Sequence, residues 1–369
     1  MKITEKNNTL VNISNSILKY YDIETFHDSY KKLDDILSKN KNKKLCLILL
    51  DGFGKIIYEK YKDYCPFLYS HIKLDGSSIY PPTTVAATTS LMTGKYPCET
   101  GFLGWDQNFK DLNKYVTVFL NKDKVTGDDL LNVNVQKDLL KPTYITSLIN
   151  EKLNKDIAGW ISSFNYKKKN GEDDLNKLFE EGNKLLKEKE FLYIYSGEPD
   201  HSMHMNSMIN ENTKKIIVYL NNTIKKLVNE NKDTLFILLA DHGFIDIETI
   251  YLNHDLELLD TLKNKDAIFS IEGRFASFEV KEDKINDFIN IYNKKYKDKF
   301  ILKTKDEIIK EEYFGTGNTH KLFNSFLGNY FLLSNSKYNF ASKDSFKLKA
   351  SHAGITEQEL ELNVLIFND

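Results

Sequence analysis

The chain has almost no arginine. Arg274 is the only one among 51 Lys and Arg residues, and the rest are lysine. Part of this is compositional bias, yet it has a chemical consequence. Any phosphate clamp must lean on metals, lysines or backbone donors instead of bidentate guanidinium forks. Cysteine is scarce too. Cys46, Cys65 and Cys98 are odd in number, lack paired spacing and form no C-x-x-C, which argues against a disulfide framework and a cysteine zinc site. The opening residues Met1-Lys2-Ile3-Thr4-Glu5-Lys6 contain no apolar segment of the signal-peptide kind. No apolar run approaches the roughly 18 residues that span a bilayer. The sequence therefore predicts a soluble, cytoplasmic protein without a membrane partner. Matches to Asn-x-Ser/Thr, such as Asn12-Ile13-Ser14, are then incidental. Excess positive charge is also missing. A net charge of -2 speaks against a partner made of duplex nucleic acid, and the lysines scatter among Asn, Asp and Glu as on a solvated surface.

What is present is enough for a folded core. With 369 residues, 41% of them apolar, the chain accommodates one large core and a smaller appended unit. Residues 1–43 are polar, with weak helical spacing around Ile17, Leu18, Leu33, Ile36 and Leu37, and predict a helical extension packed on the main body. Continuous apolar runs at 45–50, 191–195, 235–240 and 362–367 read as buried strands. Ile216, Ile217, Leu220, Ile224, Leu227 and Val228 recur at helical spacing between two of them, as in a βαβ unit. The stretch 263–345 alternates and then turns helical, and predicts a small α+β cap or insertion. The core is expected from 44–262 and 346–369.

Short apolar runs that end in Asp or His carry the chemistry. Asp51 follows 45–50, Asp241-His242-Gly243 follows 235–240, and Asp200 and His204 come just after 191–195. Open α/β sheets bind ligands beyond the carboxyl ends of their strands, so these residues belong to one rim. A single Asp after a strand is commonly a turn former. An adjacent Asp-His pair instead supplies two unlike metal ligands together. Asp200 and His204 are four apart and share one face of a helical turn; His201 between them reads as a solvated histidine. His352 stands in Ser351-His352-Ala353-Gly354, whose small neighbours permit close approach. Thr84 precedes the small-residue helix Val85 to Met92 and is either an N-cap or a nucleophile. Its hydroxyl is inert alone, but a bound metal deprotonates and aligns it, and the amides of a helix start face an anion. The whole set can hold two divalent metals and a hydroxyl nucleophile, which is equipment for phosphoryl transfer.

The pieces also run in a specific order: Leu49-Leu50-Asp51-Gly52-Phe53-Gly54, Tyr80-Pro81-Pro82-Thr83-Thr84, Ser90-Leu91-Met92-Thr93-Gly94-Lys95-Tyr96-Pro97 with Gly101, Glu198-Pro199-Asp200 with His204, Ala240-Asp241-His242-Gly243, and Ser351-His352-Ala353-Gly354-Ile355-Thr356. Over about residues 44 to 367 this set resembles the type I phosphodiesterase/nucleotide pyrophosphatase family of the alkaline phosphatase superfamily. The resemblance implies an α/β fold with an alkaline-phosphatase-like, doubly wound, mainly parallel sheet and a small α+β cap insertion. It implies one metal site from Asp200, His204 and His352, and a second from Asp51, Asp241, His242 and the Thr84 oxygen. Zinc suits these ligands, with manganese the alternative. Thr84 would attack phosphorus and form a phosphothreonine intermediate that water then releases. The expected partner is a small phosphorylated substrate, with self-association into a homo-oligomer left open.

Two positions depart from the family pattern. Many members carry an aromatic directly after the nucleophile and an Asn three residues after it; here they are Val85 and Ala87. The metal chemistry is untouched by either, while nucleotide binding loses a stacking ring and a phosphoryl-oxygen donor. Tyr80 and Trp105 are candidates for the stacking. Arg274 and His320, in the cap region, read as a structural arginine and a surface-loop histidine, with a distal substrate contact as the alternative for each. The alternative functions are a phosphomonoesterase or phosphonate hydrolase on the same scaffold, or a non-catalytic, metal-dependent binder of a phosphorylated ligand. Threonine at the nucleophile position and the lack of a C-x-P-x-R motif speak against a sulfatase.

Overall fold

A computed structural model describes residues 2–344 and 347–369. Its frame is a six-stranded sheet in the order Ile72–Ser77, Glu361–Phe367, Thr234–Leu239, Lys44–Leu50, Phe191–Ser196, Ala158–Ser162. The four strands from Thr234–Leu239 to Ala158–Ser162 are parallel to one another. Glu361–Phe367 runs antiparallel to both of its neighbours. Strands of this kind must be apolar on both faces, because helices cover both. Leu45 to Leu50, Phe191 to Ser196 and Thr234 to Leu239 are accordingly buried at every position. Each buried Leu, Ile or Phe there contributes roughly 1.5–3 kcal/mol.

The helix Glu211–Glu230 joins Phe191–Ser196 to Thr234–Leu239 and buries Ile217, Leu220, Ile224, Leu227 and Val228. The two strands it joins are not neighbours, since Lys44–Leu50 lies between them. This crossover brings three loops, after Leu50, Ser196 and Leu239, to one rim of the sheet.

The N-terminal residues form the helices Leu10–Tyr20 and Lys31–Lys39. The first is buried from Leu10 through Leu18, polar side chains included. It packs on the end of the helix Thr84–Thr93, where Asn15 Nδ2 donates to Gly94 O at 2.9 Å. All ten residues of Thr84–Thr93 are buried. Its run of Thr, Ala and Ser is what lets it fit with neighbours on every side.

A second, antiparallel sheet has seven strands in the order Ile301–Thr304, Tyr330–Leu333, Phe275–Phe278, Ser270–Ile271, Asp106–Phe109, Lys114–Thr117, Lys122–Asp123. The alternating stretch after residue 263 supplies four of these strands, and 106–123 supplies the other three. A separate apolar cluster, with Leu258, Phe278, Phe288, Phe300 and Phe340, lies on this part of the molecule. The three cysteines are free and buried.

Candidate metal centre

The predicted residues meet because the loops at the rim touch backbone to backbone. Leu50 pairs with Ser196, Asp51 N donates to Ser196 O at 2.9 Å, and Asp200 N donates to Asp51 O at 3.0 Å. Gly54 presses on Gly243: a Cβ at 54 would lie 2.5 Å from Gly243 Cα, and one at 243 would lie 1.9 Å from Gln358 O. Only glycine allows the Asp51 and Asp241-His242 loops to pack this closely. A short ladder pairs Ser351 with Ile245 and sets His352 beside them. Asp200 opens the helix Asp200–Asn206, with His204 one turn on.

All seven predicted residues converge. His242 Nε2 lies 3.3 Å from Asp51 Oδ1, 3.5 Å from Asp241 Oδ2 and 4.0 Å from Asp200 Oδ1. Asp200 Oδ1 is also 3.4 Å from His204 Nε2 and 3.7 Å from His352 Nε2. Two groups of ligand atoms are compact enough to share an ion: Asp51, Asp241 and His242, and Asp200, His242 and His352. His242 thus borders both. Thr84 Oγ1 stands 3.4 Å from Asp51 Oδ2 and 3.3 Å from His242 Nε2.

The donor set fits divalent cations on two counts. First, Asp51 Oδ1, Asp200 Oδ1 and Asp241 Oδ2 are buried without a hydrogen-bond partner. Such orphaned acceptors are costly unless something positive meets them. Second, each histidine turns Nδ1 to a backbone carbonyl: His204 to Ala350 O at 2.8 Å, His242 to Gly243 O at 3.1 Å, His352 to Pro82 O at 3.0 Å. A carbonyl only accepts, so each Nδ1 carries the proton and each Nε2 presents its lone pair. The remaining Asp241 oxygen is held by Gly52 N and His242 N, at 3.1 and 3.0 Å.

Protonation follows the same logic. Burial pushes the Asp51 carboxyl up to about 7 and that of Asp241 up to about 8, and lifts Asp200 well above the carboxylate range. Mutual repulsion of the carboxylates adds to the rise at Asp200 and Asp241. Burial pulls His204 down to about 4, and His242 and His352 below their usual value. The His242 and His352 rings stack at 3.6 Å, as uncharged imidazoles do. Both directions have the same leading cause, burial, which disfavours charge of either sign on these groups.

The centre opens into a cleft of about 520 Å³. Its walls include Trp105, Phe164, Lys124, Lys167 and Glu272. Trp105, a stacking candidate, is therefore at the site; Tyr80 instead packs its ring against Tyr313. His201 is exposed and lines the cleft edge. Val85 and Ala87 are fully buried. Arg274 is fully buried as well and forks onto Glu359, which excludes a contact with substrate. His320 lies against Gly101, away from the cleft walls.

Two participants escaped the sequence reading. Tyr195 donates its hydroxyl to Asp51 Oδ2, and the pairing of Leu49 with Tyr195 is the signal that places it there. Glu272 accepts from Thr83 Oγ1 and from Trp105 N at 3.0 Å. Thr83 therefore makes no capping bond to the Thr84 helix. No sequence signal marks Glu272, because its partners lie about 170–190 residues away.

Comparison with known proteins places these features in a context. The family description "Type I phosphodiesterase / nucleotide pyrophosphatase" matches residues 45–356. No curated protein sequence matches the chain. Among solved structures, the fold is similar to murine ectonucleotide pyrophosphatase/phosphodiesterase 5, with TM-score 0.63, 15% identity, and 88% of each chain covered. An inactive form of that protein in complex with AMP gives the same TM-score at 14% identity. Phosphonoacetate hydrolase from Sinorhizobium meliloti, in complex with phosphonoformate, also gives 0.63, at 13% identity over 88% of this chain and 90% of that one. One expectation falls here. A cytoplasmic location does not stand, because the fold is shared with an ectonucleotide enzyme. The lack of an apolar leader-like segment carries no weight against that. Among the described residues no helix is long and apolar enough to cross a membrane.

Proposed function

Because the chain belongs to the type I phosphodiesterase / nucleotide pyrophosphatase family, we propose that it is a metal-dependent hydrolase of phosphodiester or pyrophosphate bonds with Thr84 as nucleophile. The observation that carries this is the cluster of orphaned carboxylate oxygens and unprotonated imidazole nitrogens beside a threonine hydroxyl that itself touches Asp51 Oδ2 and His242 Nε2. Asp200, His204 and His352 would hold one cation; Asp51, Asp241 and His242, with the Thr84 oxygen, would hold the other. Zinc is the favoured metal and manganese the alternative. When bound, the cations supply the charge that activates a hydroxyl and neutralises phosphoryl oxygens.

The chain's own residues do the rest. Thr84 Oγ1 attacks phosphorus in line as the bond to the leaving oxygen breaks; the hydroxyl proton ends on the leaving oxygen, and the phosphoryl group, still carrying its other substituent, rests on Thr84 until water releases it. Asp51 and Tyr195 orient Thr84 from behind. Thr83 gives its hydroxyl to Glu272, so the first-turn amides of the Thr84 helix stay uncapped and available to an anion. These amides substitute for the donor that Ala87 cannot provide. We read the six-stranded sheet as the doubly wound, alkaline-phosphatase-like core, spanning 44–262 and 346–369, with 1–43 packed on it. The antiparallel sheet is the cap, built from 263–345 with strands lent by 106–123, and sets substrate choice.

Purified protein loaded with zinc or manganese, and analysed for metal content, is expected to cleave a bis-aryl phosphate faster than a mono-aryl phosphate. An aryl phosphate adduct on Thr84, retaining one of the two aryl groups, is expected by mass spectrometry after acid quench. Clear preference for the monoester overturns the diesterase assignment. It would favour the second reading, a phosphomonoesterase or phosphonate hydrolase, which Val85 and Ala87 support by lacking nucleotide contacts. No turnover with either metal, with ligand binding retained in Thr84→Ala, would leave a non-catalytic phospho-ligand binder.

A further inference from the structure

We propose that the buried Arg274–Glu359 pair is the positioning device of the metal centre, locking the His352 turn and the His242 loop to the second sheet. The pair forks: Arg274 Nε meets Glu359 Oε1 at 2.7 Å and Nη2 meets Oε2 at 3.0 Å. Both side chains are fully buried. The guanidinium also donates to Tyr338 O at 2.8 Å and Ser336 O at 2.7 Å. A lysine has one nitrogen and no planar fork, so it cannot make these four contacts at once. In a chain that otherwise uses lysine throughout, the one arginine sits where only arginine fits.

Glu359 is joined to both ligand loops. Its Oε1 accepts Gly354 N at 2.7 Å, and its Oε2 accepts Thr356 Oγ1 at 2.6 Å. These bonds hold the turn after His352, where Ala353 adopts a left-handed φ of 82°. A non-glycine residue pays strain for that backbone, so the turn persists only if its surroundings impose it. Gly354 makes room for the pair: a Cβ there would lie 2.7 Å from Arg274 Nη2 and from Glu359 Oε2. Glu359's own carbonyl accepts Gly243 N at 2.8 Å, which fixes the residue whose carbonyl orients His242. At the other end, the tight turn Glu272–Phe275 places Arg274 two residues from Glu272, the partner of Thr83. The ion pair therefore ties the loops of two imidazole ligands to the turn Glu272–Phe275, whose first residue separately holds Thr83 of the nucleophile segment. Groups that orient metal ligands in this way typically change metal affinity 10–100-fold when removed.

The inference rests on the metal-site reading above, and its test separates the two. Zinc affinity is measured by calorimetry on full-length wild type, Arg274→Lys and Glu359→Gln, with melting temperatures in chelator and kinetics on a bis-aryl phosphate. The folded variants are expected to bind zinc about 10–100-fold more weakly and to lose kcat while KM holds. A purely structural pair would lower the melting temperature in chelator and leave zinc affinity intact, and that result overturns the proposal. If Arg274→Lys does not fold, Glu359→Gln, which keeps the shape and one acceptor, decides alone. Wild type that binds metal without turnover sinks only the hydrolase reading; wild type that binds neither zinc nor manganese sinks both.

Discussion

Asp241→Asn gives the sharpest test of the charge argument, because its two effects have opposite signs. Without metal, Asp241 is buried with one oxygen orphaned and its carboxyl raised to about 8. Unfolded, the same carboxyl titrates near 3.8. Holding it protonated at pH 7 costs the folded state about 4 kcal/mol. Asn keeps the oxygen that accepts from Gly52 N and His242 N and replaces the orphan with a donor. A 369-residue chain unfolds with an entropy of about 0.8 kcal/mol/K. The variant in chelator should then melt about 5 °C above wild type in chelator. With zinc most of that gap closes. Two sites filled at a hundred times Kd add about 5 kcal/mol, or roughly 7 °C, to wild type, and the variant should gain less than half of that. The chelated gap should widen from pH 6 to pH 8, because a raised carboxyl makes the folded state bind more protons and lose stability as pH rises through that range. Differential scanning fluorimetry in chelator and in zinc measures all of this. A chelated variant that melts below chelated wild type would refute the reasoning, since Asp241 would then be a satisfied carboxylate.

Other outcomes follow from the same geometry. Thr84→Ala should lower kcat by at least ~10³-fold yet keep most of the zinc-induced rise in melting temperature, because the Asp and His ligands remain; loss of the whole rise would contradict their assignment as the principal ligands. Gly54→Ala drives a methyl to 2.5 Å from Gly243 Cα. It should cost about 3 kcal/mol or more in urea unfolding and weaken zinc binding, and a neutral result would mean that the two loops can part. Asp255 caps the helix Leu256–Thr261 and takes Lys295 at 2.8 Å, together with Tyr296. Burial alone would raise its carboxyl, but these bonds outweigh it and hold it below the usual range. Its contribution is complete above the unfolded value and lost as pH falls through the lower folded value. The stability gap between wild type and Asp255→Asn should therefore be full at pH 6 and shrink only below about pH 4; a gap that persists unchanged at the acid end would contradict the pairing.

The sequence was legible where structure is local or imposed by burial. The apolar runs at 45–50, 191–196 and 234–239 had to be inner parallel strands, and their Asp and His endings had to share a rim. The polar strands Asp106–Phe109 and Lys114–Thr117 carry no such run. They are strands because Asp106 meets Ile271, 165 positions on, and no window of sequence contains that pairing. Metal ligation was legible as residue types; the sharing of His242 between two sets of acids was not, since it depends on how closely Gly54 and Gly243 approach. Arg274 was legible only as a choice between a structural role and a distal substrate contact. Its carboxylate partner, 85 residues away, decides for the structural one.

The strand Glu361–Phe367 sits inside the central sheet but is the last of the six to be made. A nascent chain that has emerged only to residue 350 therefore carries an open slot between Ile72–Ser77 and Thr234–Leu239. Two strand edges stay exposed there, and neither Glu359 nor His352 is yet present to finish the rim. At that length six of the seven site residues are made, but His352 and the Glu359 that holds its turn are not. During that stage the unfilled slot is a ready template for a strand from another chain. Aggregation of a chain cut before residue 361 is the outcome expected from the order in which this sheet is threaded.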